Sequence, residues 1–265
     1  MHPRLFQLGH IAIPTYGVFA AIALIAALAM AAHTARRLAL DPNKIWNLSI
    51  IGIFTALLGS RLLLVLFHLR DFASHPIWML GLVTIRSRGI FYGGVALAIC
   101  ACLGYIFANR LPLRRTLDCL APAAALGLAI TNLGALAAGS NYGMPTDKPW
   151  GVVYKHGLAA LWSGTPLGIR LHPVQLYEAL ILFSLLGLLL FWLPRRAHDG
   201  DQAGTFLFVY GLALYFLDFY RGNRSFVFHE AFTVTQIIAI GSVLAGAALW
   251  IRRKPAAPRS HPFRV

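Results

Sequence analysis

Charged residues are scarce in this chain, and acidic ones above all. Only 12% of the 265 residues are charged, with nine Asp and Glu against 23 Lys and Arg, whereas 58% are hydrophobic and the mean hydropathy is +0.67. A soluble domain cannot bury so large an apolar fraction, and the apolar residues come in runs near the roughly 20 residues that cross a bilayer. The composition therefore predicts an all-α, polytopic membrane protein.

Cysteine is also rare, which excludes a secreted disulfide framework. Cys100, Cys102 and Cys119 lie in or beside apolar stretches, so we expect three small core residues and no thiol catalyst. The opening residues, MHPRLFQLGHIAIPTYG, lack the basic, apolar and small-residue segments of a cleavable signal peptide. The first span is therefore expected to be retained.

Seven apolar stretches are long enough to be membrane spans. They lie near residues 12–35, 45–68, 89–108, 117–138, 175–193, 204–220 and 232–252. We expect one membrane-embedded domain over residues 1–265. Its outer loop, residues 139–172, is expected to form a small periplasmic cap, and residues 253–265 a basic cytoplasmic tail.

Basic residues cluster in alternate loops and so predict the orientation. The clusters are Arg36, Arg37 and Lys44; Arg110, Arg114 and Arg115; Arg195 and Arg196; and Arg252, Arg253, Lys254, Arg259 and Arg264. The positive-inside rule then puts the N-terminus outside and the C-terminus inside. The net charge of +14 indicates topology and attraction to anionic lipid, because cations dispersed among loops are a poor nucleic-acid footprint.

This orientation places the candidate functional side chains in the outer halves or at the outer ends of their spans, where they can share one pocket. They are Tyr16, Arg61, Tyr92, residues 132–150, residues 172–178, Asp218 and Arg221. Arg61 stands out because an ionisable group inside an apolar span is costly and usually has a polar or anionic partner. The alternative is a guanidinium that snorkels to the outer headgroups.

Three polar features lie near span ends. HPVQLYEA, which starts at His172, joins a proton-exchanging His to Glu178 without metal-ligand spacing, although a plain helix start also accounts for it. DFYRGNR puts Asp218 and Arg221 on one face, so an ion pair between them is the simple alternative. Asp118, near the inner end of the fourth span, is expected to start that helix at the positive end of its dipole.

Residues 118–152 combine a span rich in Ala, Leu and Gly with a polar loop of turn-forming residues. Gly127, Gly134, Gly139 and Gly143 allow close backbone approach within a helix bundle, and Trp150 offers an amphipathic ring for the membrane interface. The stretch is either a ligand-gripping element or a packing helix with an ordinary exit loop.

An ordered series of motifs resembles the prolipoprotein diacylglyceryl transferases of bacterial inner membranes. The series is TYG at 15–17, GSRLLLVLF at 59–67, RGIFYGG at 88–94, DCLAPAAALG at 118–127, GSNYGMPTDKPWGV at 139–152, HPVQLYE at 172–178 and YGLALYFLDFYRGN at 210–223. The resemblance covers nearly the whole chain.

The resemblance implies transfer of the diacylglyceryl group of phosphatidylglycerol to the lipobox cysteine thiol of a secreted preprotein, with release of glycerol phosphate. It implies no metal and no cofactor, and its partners are phosphatidylglycerol and prolipoprotein signal peptides. Catalytic roles are implied for His172, Tyr92, Arg221 and Asp218. Substrate-binding roles are implied for Tyr16, Arg61, Asn132, Gly139, Ser140, Asn141, Tyr142, Gly143, Gln175, Tyr177 and Glu178.

The chain departs from the family pattern at four polar positions. The family's arginine in the fourth span falls on Asn132, and a second arginine, in the sixth span, falls on Leu214. A loop glutamate falls on Ser140, and the histidine of a His-Gly-Gly motif falls on Tyr92. One preorganised contact to developing charge is typically worth about 3 to 4 kcal/mol. Loss of both arginines should therefore weaken stabilisation of the leaving phosphate unless other cations replace them.

Two functional hypotheses follow from these departures. The first is an active transferase in which Arg61, Arg221 and Arg88 compensate for the missing arginines. The second is a non-catalytic paralogue that binds lipid or lipobox peptide. A small transporter is disfavoured, since the chain lacks an internal repeat with paired interrupted half-helices.

Reporter fusions test the predicted orientation. Fusions placed after Arg37, Arg115, Arg196 and Arg259 should all report the cytoplasm, because the basic bias sets that side. A periplasmic signal from the fusion at Arg259 would contradict the orientation and the grouping of outer residues built on it.

Overall fold

A computed structural model describes residues 3–8, 11–67, 69, 88–195, 197–227, 231–251 and 254–255. Seven helices of 18 to 26 residues dominate these segments, and each begins and ends within four residues of a predicted span. They are α1 (Thr15–Arg37), α2 (Pro42–Phe67), α3 (Arg88–Ala108), α4 (Leu113–Ala138), α6 (Val174–Trp192), α7 (Asp201–Asp218) and α8 (Val234–Ile251). A short helix, α5 (Gly157–Ser163), lies between α4 and α6. The predicted all-α class is confirmed.

Five of these helices, α1, α2, α4, α6 and α8, are long and apolar enough to cross a membrane. The apolar part of α3 that meets the same test of composition is shorter, from Gly93 to Ala108. Helix α7 contains the buried polar residues Asp201, Gln202, Thr205 and Asp218, which lower its hydropathy. A membrane protein is thus confirmed, while crossing by α3 and α7 stays a prediction.

Short antiparallel strand pairs join the ends of the helices. The pairs are β1 (Arg4–Leu8) with β2 (Ile11–Pro14), β3 (Val152–Val153) with β4 (Arg170–Leu171), β5 (His198–Asp199) with β8 (Lys254–Pro255), and β6 (Phe226–Val227) with β7 (Phe232–Thr233). In the loop before α6, Val152 pairs with Leu171 and Val153 with Arg170. This pairing closes the loop that leads into the HPVQLYE motif.

The chain forms two compact units: Met1–Ala39 with Leu117–Val265, and Leu40–Thr116. The second unit is built on the packing of α2 along α3. A Cβ atom at Gly94 would lie 2.6 Å from the Ala56 carbonyl oxygen and 2.8 Å from the Ser60 nitrogen. Glycine at position 94 therefore permits the two helix backbones to touch, as small residues do between helices in lipid.

The first unit is also packed through small residues. A Cβ atom at Gly127 would lie 3.2 Å from Ala27 Cβ, and one at Gly134 would collide with Phe19, so α1 lies directly against α4. The close approach predicted for these glycines is confirmed. The core continues on the other face of α4 through an apolar cluster of α4, α6 and α7, which contains Ala121, Ala125, Ala129, Leu182, Leu185, Leu189 and Phe206.

The three cysteines are free but do not share one environment. Cys119 is fully buried and its thiol donates to the Ala31 carbonyl oxygen at 3.3 Å. Cys102 is half-buried against the Leu48 carbonyl, whereas Cys100 is exposed. The prediction of a core position was therefore wrong for Cys100, because the position lies on the face of α3 that turns away from the rest of its unit.

Asp118 does not start α4, which begins five residues earlier at Leu113. Its fully buried carboxylate instead accepts hydrogen bonds from Gly200 N at 2.7 Å and Ala203 N at 2.9 Å. These two amides lie at the N-terminus of α7, where backbone donors have no partner within their own helix. The Asp118 carboxylate thus interacts with the N-terminus of α7 and not, as the sequence predicts, with that of α4.

Removal of this carboxylate should destabilise the fold. We expect Asp118→Ala to cost about 2 kcal/mol, the upper range for a lost N-terminal cap, because two buried amides lose their acceptor. Thermal unfolding in detergent measures the effect. Asp147→Ala is the control, since Asp147 is an exposed carboxylate in the loop between α4 and α6. Equal loss of stability in both variants would contradict the capping role.

Candidate functional site

The loop between α4 and α6 begins with left-handed backbone. Gly139 has φ of 82° and Asn141 has φ of 53°, a region that glycine enters without strain and asparagine tolerates. A Cβ atom at Gly139 would also lie 3.0 Å from Ala159 Cβ. The Thr165 hydroxyl donates to the Gly139 carbonyl oxygen, so the start of the loop is held against the region of α5.

Gln175 fastens this loop to the first turn of α6. Its side-chain amide donates to the Ser140 carbonyl oxygen at 2.6 Å and to the Tyr154 hydroxyl at 3.4 Å. Tyr154 in turn donates to the Leu136 carbonyl oxygen at 3.2 Å. Burial raises the pKa of the Tyr154 phenol to about 12, a shift that the Gln175 hydrogen bond partly offsets. Tyr154 therefore stays protonated at neutral pH and serves as a neutral donor.

The same loop forms a backbone junction with the end of α7. Gly143 and Arg221 make an antiparallel bridge, Gly222 N donates to Tyr142 O at 3.0 Å, and Met144 N donates to Tyr220 O at 2.8 Å. His172 N completes the junction by donating to Met144 O at 2.9 Å. The GSNYG motif, HPVQLYE motif and DFYRGN motif thus meet in one place.

His172 lies in an aromatic and hydroxyl environment at this junction. Its Nδ1 is 3.3 Å from the Tyr177 hydroxyl, and that hydroxyl accepts a hydrogen bond from Trp150 Nε1 at 2.8 Å. The Tyr220 ring packs edge-on against the imidazole, with 5.2 Å between ring centroids. The position of His172 is therefore fixed by side chains from three separate motifs.

Arg221 pairs with Glu178, which differs from the simple ion pair with Asp218. Arg221 Nη2 lies 2.7 Å from Glu178 Oε2, and the other oxygen of Glu178 accepts from the Tyr210 hydroxyl at 2.7 Å. The Glu178 residue is only 5% exposed. Asp218, 1% exposed, accepts from the Thr233 hydroxyl at 2.7 Å and lies 3.5 Å from Arg224 Nε. Each carboxylate therefore fixes a different guanidinium.

Other predicted site residues belong to other segments of the chain. Asn132 is 8% exposed and its amide donates back to Leu128 O at 3.0 Å, and Leu214 is an apolar buried residue of α7. Tyr16, 41% exposed, lies at the start of α1. Arg61 and Tyr92 belong to α2 and α3 of the other unit, and the side chain of Tyr92 lies outside the described residues.

Sequence reasoning missed two polar groups of this region. Tyr154 was not singled out because a loop tyrosine carries no motif of its own, and only its burial marks it. Arg224 ends the DFYRGNR motif and has no pattern of its own that marks it, although it lies beside Asp218. Within the described residues, no group of three or more His, Cys, Asp and Glu side chains is arranged to hold a metal ion.

A methyl group at Gly143 should disrupt the junction. A Cβ atom there would collide with the His172 carbonyl oxygen and lie 2.7 Å from His172 Cβ. Gly143→Ala should therefore displace His172. Because overpacking costs about 1–3 kcal/mol, the unfolding temperature of the purified protein should fall by several degrees. Gly157→Ala is the matched control, because a Cβ there meets nothing within 4 Å. A fully stable Gly143→Ala variant would contradict this tight contact.

Comparison with known proteins identifies the family. A family model for prolipoprotein diacylglyceryl transferase matches residues 3–252. Proteins named phosphatidylglycerol–prolipoprotein diacylglyceryl transferase are similar throughout. The Geobacter sulfurreducens protein is 31% identical, with 95% of this chain and 96% of that protein covered. The Clostridium tetani protein is 27% identical, with 93% and 95% covered, and the Finegoldia magna protein is 27% identical, with 94% of each covered. The chain thus belongs to the prolipoprotein diacylglyceryl transferase family.

Proposed function

We propose that this protein transfers the diacylglyceryl group of phosphatidylglycerol to the lipobox cysteine of prolipoproteins. The observation that carries the proposal is the junction at which His172, Glu178 and Arg221 converge, in a chain that matches the family over residues 3–252. The relatives carry this activity in their names. The reaction belongs to the first step of lipoprotein maturation.

The proposed chemistry forms one bond and breaks one. The cysteine sulfur forms a bond to the glycerol carbon of the diacylglyceryl group while the bond from that carbon to the phosphate oxygen breaks. The products are a thioether and glycerol phosphate. Because the thiolate is the nucleophile, the thiol proton needs an acceptor, and because the leaving group is a phosphate, it needs cations.

His172 is the proposed proton acceptor. In this proposal the Nδ1 atom carries a hydrogen and donates a hydrogen bond to the Tyr177 hydroxyl oxygen 3.3 Å away. The same oxygen accepts from Trp150 through one lone pair and has a second lone pair for His172. The Nε2 atom then has the lone pair that receives the thiol proton. Trp150 and Tyr177 orient the imidazole.

Arg221 is the proposed cation for the leaving phosphate. A guanidinium has five N–H donors, and the contact with Glu178 uses Nη2. The short Glu178 and Tyr210 contacts hold the group in place before substrate arrives, as electrostatic stabilisation of a leaving group requires.

The remaining features of the proposal concern topology and substrate contacts. We propose seven membrane crossings, an outer N-terminus and location in the bacterial inner membrane. The helix positions and the basic clusters support the crossings and the orientation. The loop 139–172 is proposed as a cap over a single membrane domain. Tyr16, Arg61, Tyr92, Asn132 and Asn141 retain their proposed roles toward substrate.

A second candidate function is binding of lipid or lipobox peptide without transfer. One observation favours it: the positions of two family arginines hold Asn132, whose amide faces its own helix, and Leu214, which is apolar and buried. Neither residue can supply positive charge to a phosphate.

Transfer of labelled phosphatidylglycerol to a lipobox peptide by the purified protein tests the proposal. The peptide should gain a diacylglyceryl group, and His172→Ala or Arg221→Ala should lower the rate by about 10² or more, as loss of a proton-transfer group or a charge-stabilising donor does. His156→Ala is the matched control, because this loop histidine caps α5 by accepting from Leu158 N at 3.2 Å.

Restoration of the family's arginines separates the two candidate functions. If the unaltered protein shows no transfer and the double variant Asn132→Arg with Leu214→Arg does, the protein is an enzyme that has lost its activity. An active parent that the same double change harms would have a rebuilt site. No transfer in any variant, with lipid still bound, would refute the transferase and support the binding function.

A further inference from the structure

Two guanidinium groups follow the last turn of α7. Arg221 N donates to Asp218 O at 3.1 Å, so Arg221 continues that turn, and Arg224 comes three residues later. Arg224 Nε returns to within 3.5 Å of the carboxylate of the same Asp218. Both cations therefore follow the last turn of α7, and Arg221 is also bridged to Gly143 at the junction that contains His172.

Arg224 is held in place from several directions. Its guanidinium carbon lies 5.5 Å from the centre of the Phe219 ring and 4.9 Å from that of the Phe226 ring, a favourable cation–π arrangement. Asp218, its acidic partner, is itself fixed by the Thr233 hydroxyl at 2.7 Å. These contacts orient the planar guanidinium before any ligand binds.

Neither guanidinium has all its donors satisfied. The Nε atom of Arg221 is buried and makes no hydrogen bond within the described segments. The Nε atom of Arg224 faces the Asp218 carboxylate at 3.5 Å without a hydrogen bond, and the side chains of both arginines remain partly exposed. A buried donor without an acceptor is unfavourable. Because each guanidinium has five donors in a flat fork, each can keep its carboxylate and still bind a second anion.

We propose that Arg224 and Arg221 together form a two-guanidinium site for the phosphate group of the lipid headgroup and of the released glycerol phosphate. The inference rests on the proposed function and adds Arg224 to it as a binding residue. It also explains how a chain with Asn132 and Leu214 at two family arginine positions still presents two fixed cations to a phosphate. Arg224 supplies the second positive charge from the loop after α7.

Binding of glycerol phosphate to the purified full-length protein tests the site without any need for transfer. Isothermal titration should show that Arg224→Gln weakens binding at least about tenfold, as loss of one charge-assisted contact does. Glycerol, which lacks the phosphate, should bind neither form measurably. Arg195→Gln is the matched control, since Arg195 also stacks on a ring, 4.4 Å from the centre of Phe191, and donates to Phe191 O. Equal affinity in Arg224→Gln and the parent would overturn the proposal.

A second measurement uses the unaltered protein, so it does not depend on the folding of a variant. Phenylglyoxal modifies accessible arginines, and mass spectrometry reports each site. Glycerol phosphate should protect Arg221 and Arg224 but not Arg195, whereas modification of Arg224 that glycerol phosphate does not slow would refute the site. Protection of Arg224 without any transfer activity would support the phosphate site and reject the transferase function. Transfer activity without protection of Arg224 would support the transferase function and reject the phosphate site.

Discussion

The buried ion pair between Arg221 and Glu178 is the contact on which the candidate site depends. The two groups lie 2.7 Å apart in a largely apolar protein, and Glu178 is almost fully buried. Taking the Glu178 carboxylate out of water is expensive, and removal of its cation from a buried pair typically costs about 3–5 kcal/mol because the carboxylate is left uncompensated. The Tyr210 hydroxyl satisfies the second carboxylate oxygen. Since Glu178 lies near the start of α6 and Arg221 follows α7, the pair also holds the ends of these two helices together.

The positions of the helices could be predicted from the sequence, but the partners of the charges could not. Apolar length alone located all seven helices, and the glycines of α4 indicated where close packing is possible, although not that α1 is the partner. Local spacing suggested an ion pair between Asp218 and Arg221, three residues apart. The structure instead pairs Arg221 with a residue 43 positions away. Burial decides this choice, because two carboxylates in an apolar setting each need their own cation, and two arginines are close enough to provide them.

Asp118 illustrates the same limit at the other end of α7. An acidic residue near the start of a helix predicts a role at the nearest helix dipole, which is the helix that contains it. The carboxylate lies beyond the first turn of α4 and accepts from amides 82 and 85 residues along the chain. Contacts of this kind depend on which helices are neighbours, and hydropathy does not contain that information. The exposed position of Cys100 has the same origin, since residue type does not reveal which face of a helix meets another.

The two ends of α7 therefore each have a buried carboxylate that fixes them. Asp118 binds the first amides of the helix, and the pairs of Glu178 and Asp218 secure the arginines that follow its last turn. An α-helix of 18 residues is about 27 Å long at 1.5 Å per residue, close to the roughly 30 Å of a bilayer's hydrocarbon core. Because side-chain contacts fix both ends of α7, the helix resists displacement along its axis. The positions of Arg221 and Arg224 along the axis of α7 are consequently set in part by a carboxylate at the far end of the helix, so the level of the proposed phosphate site is a property of the whole helix.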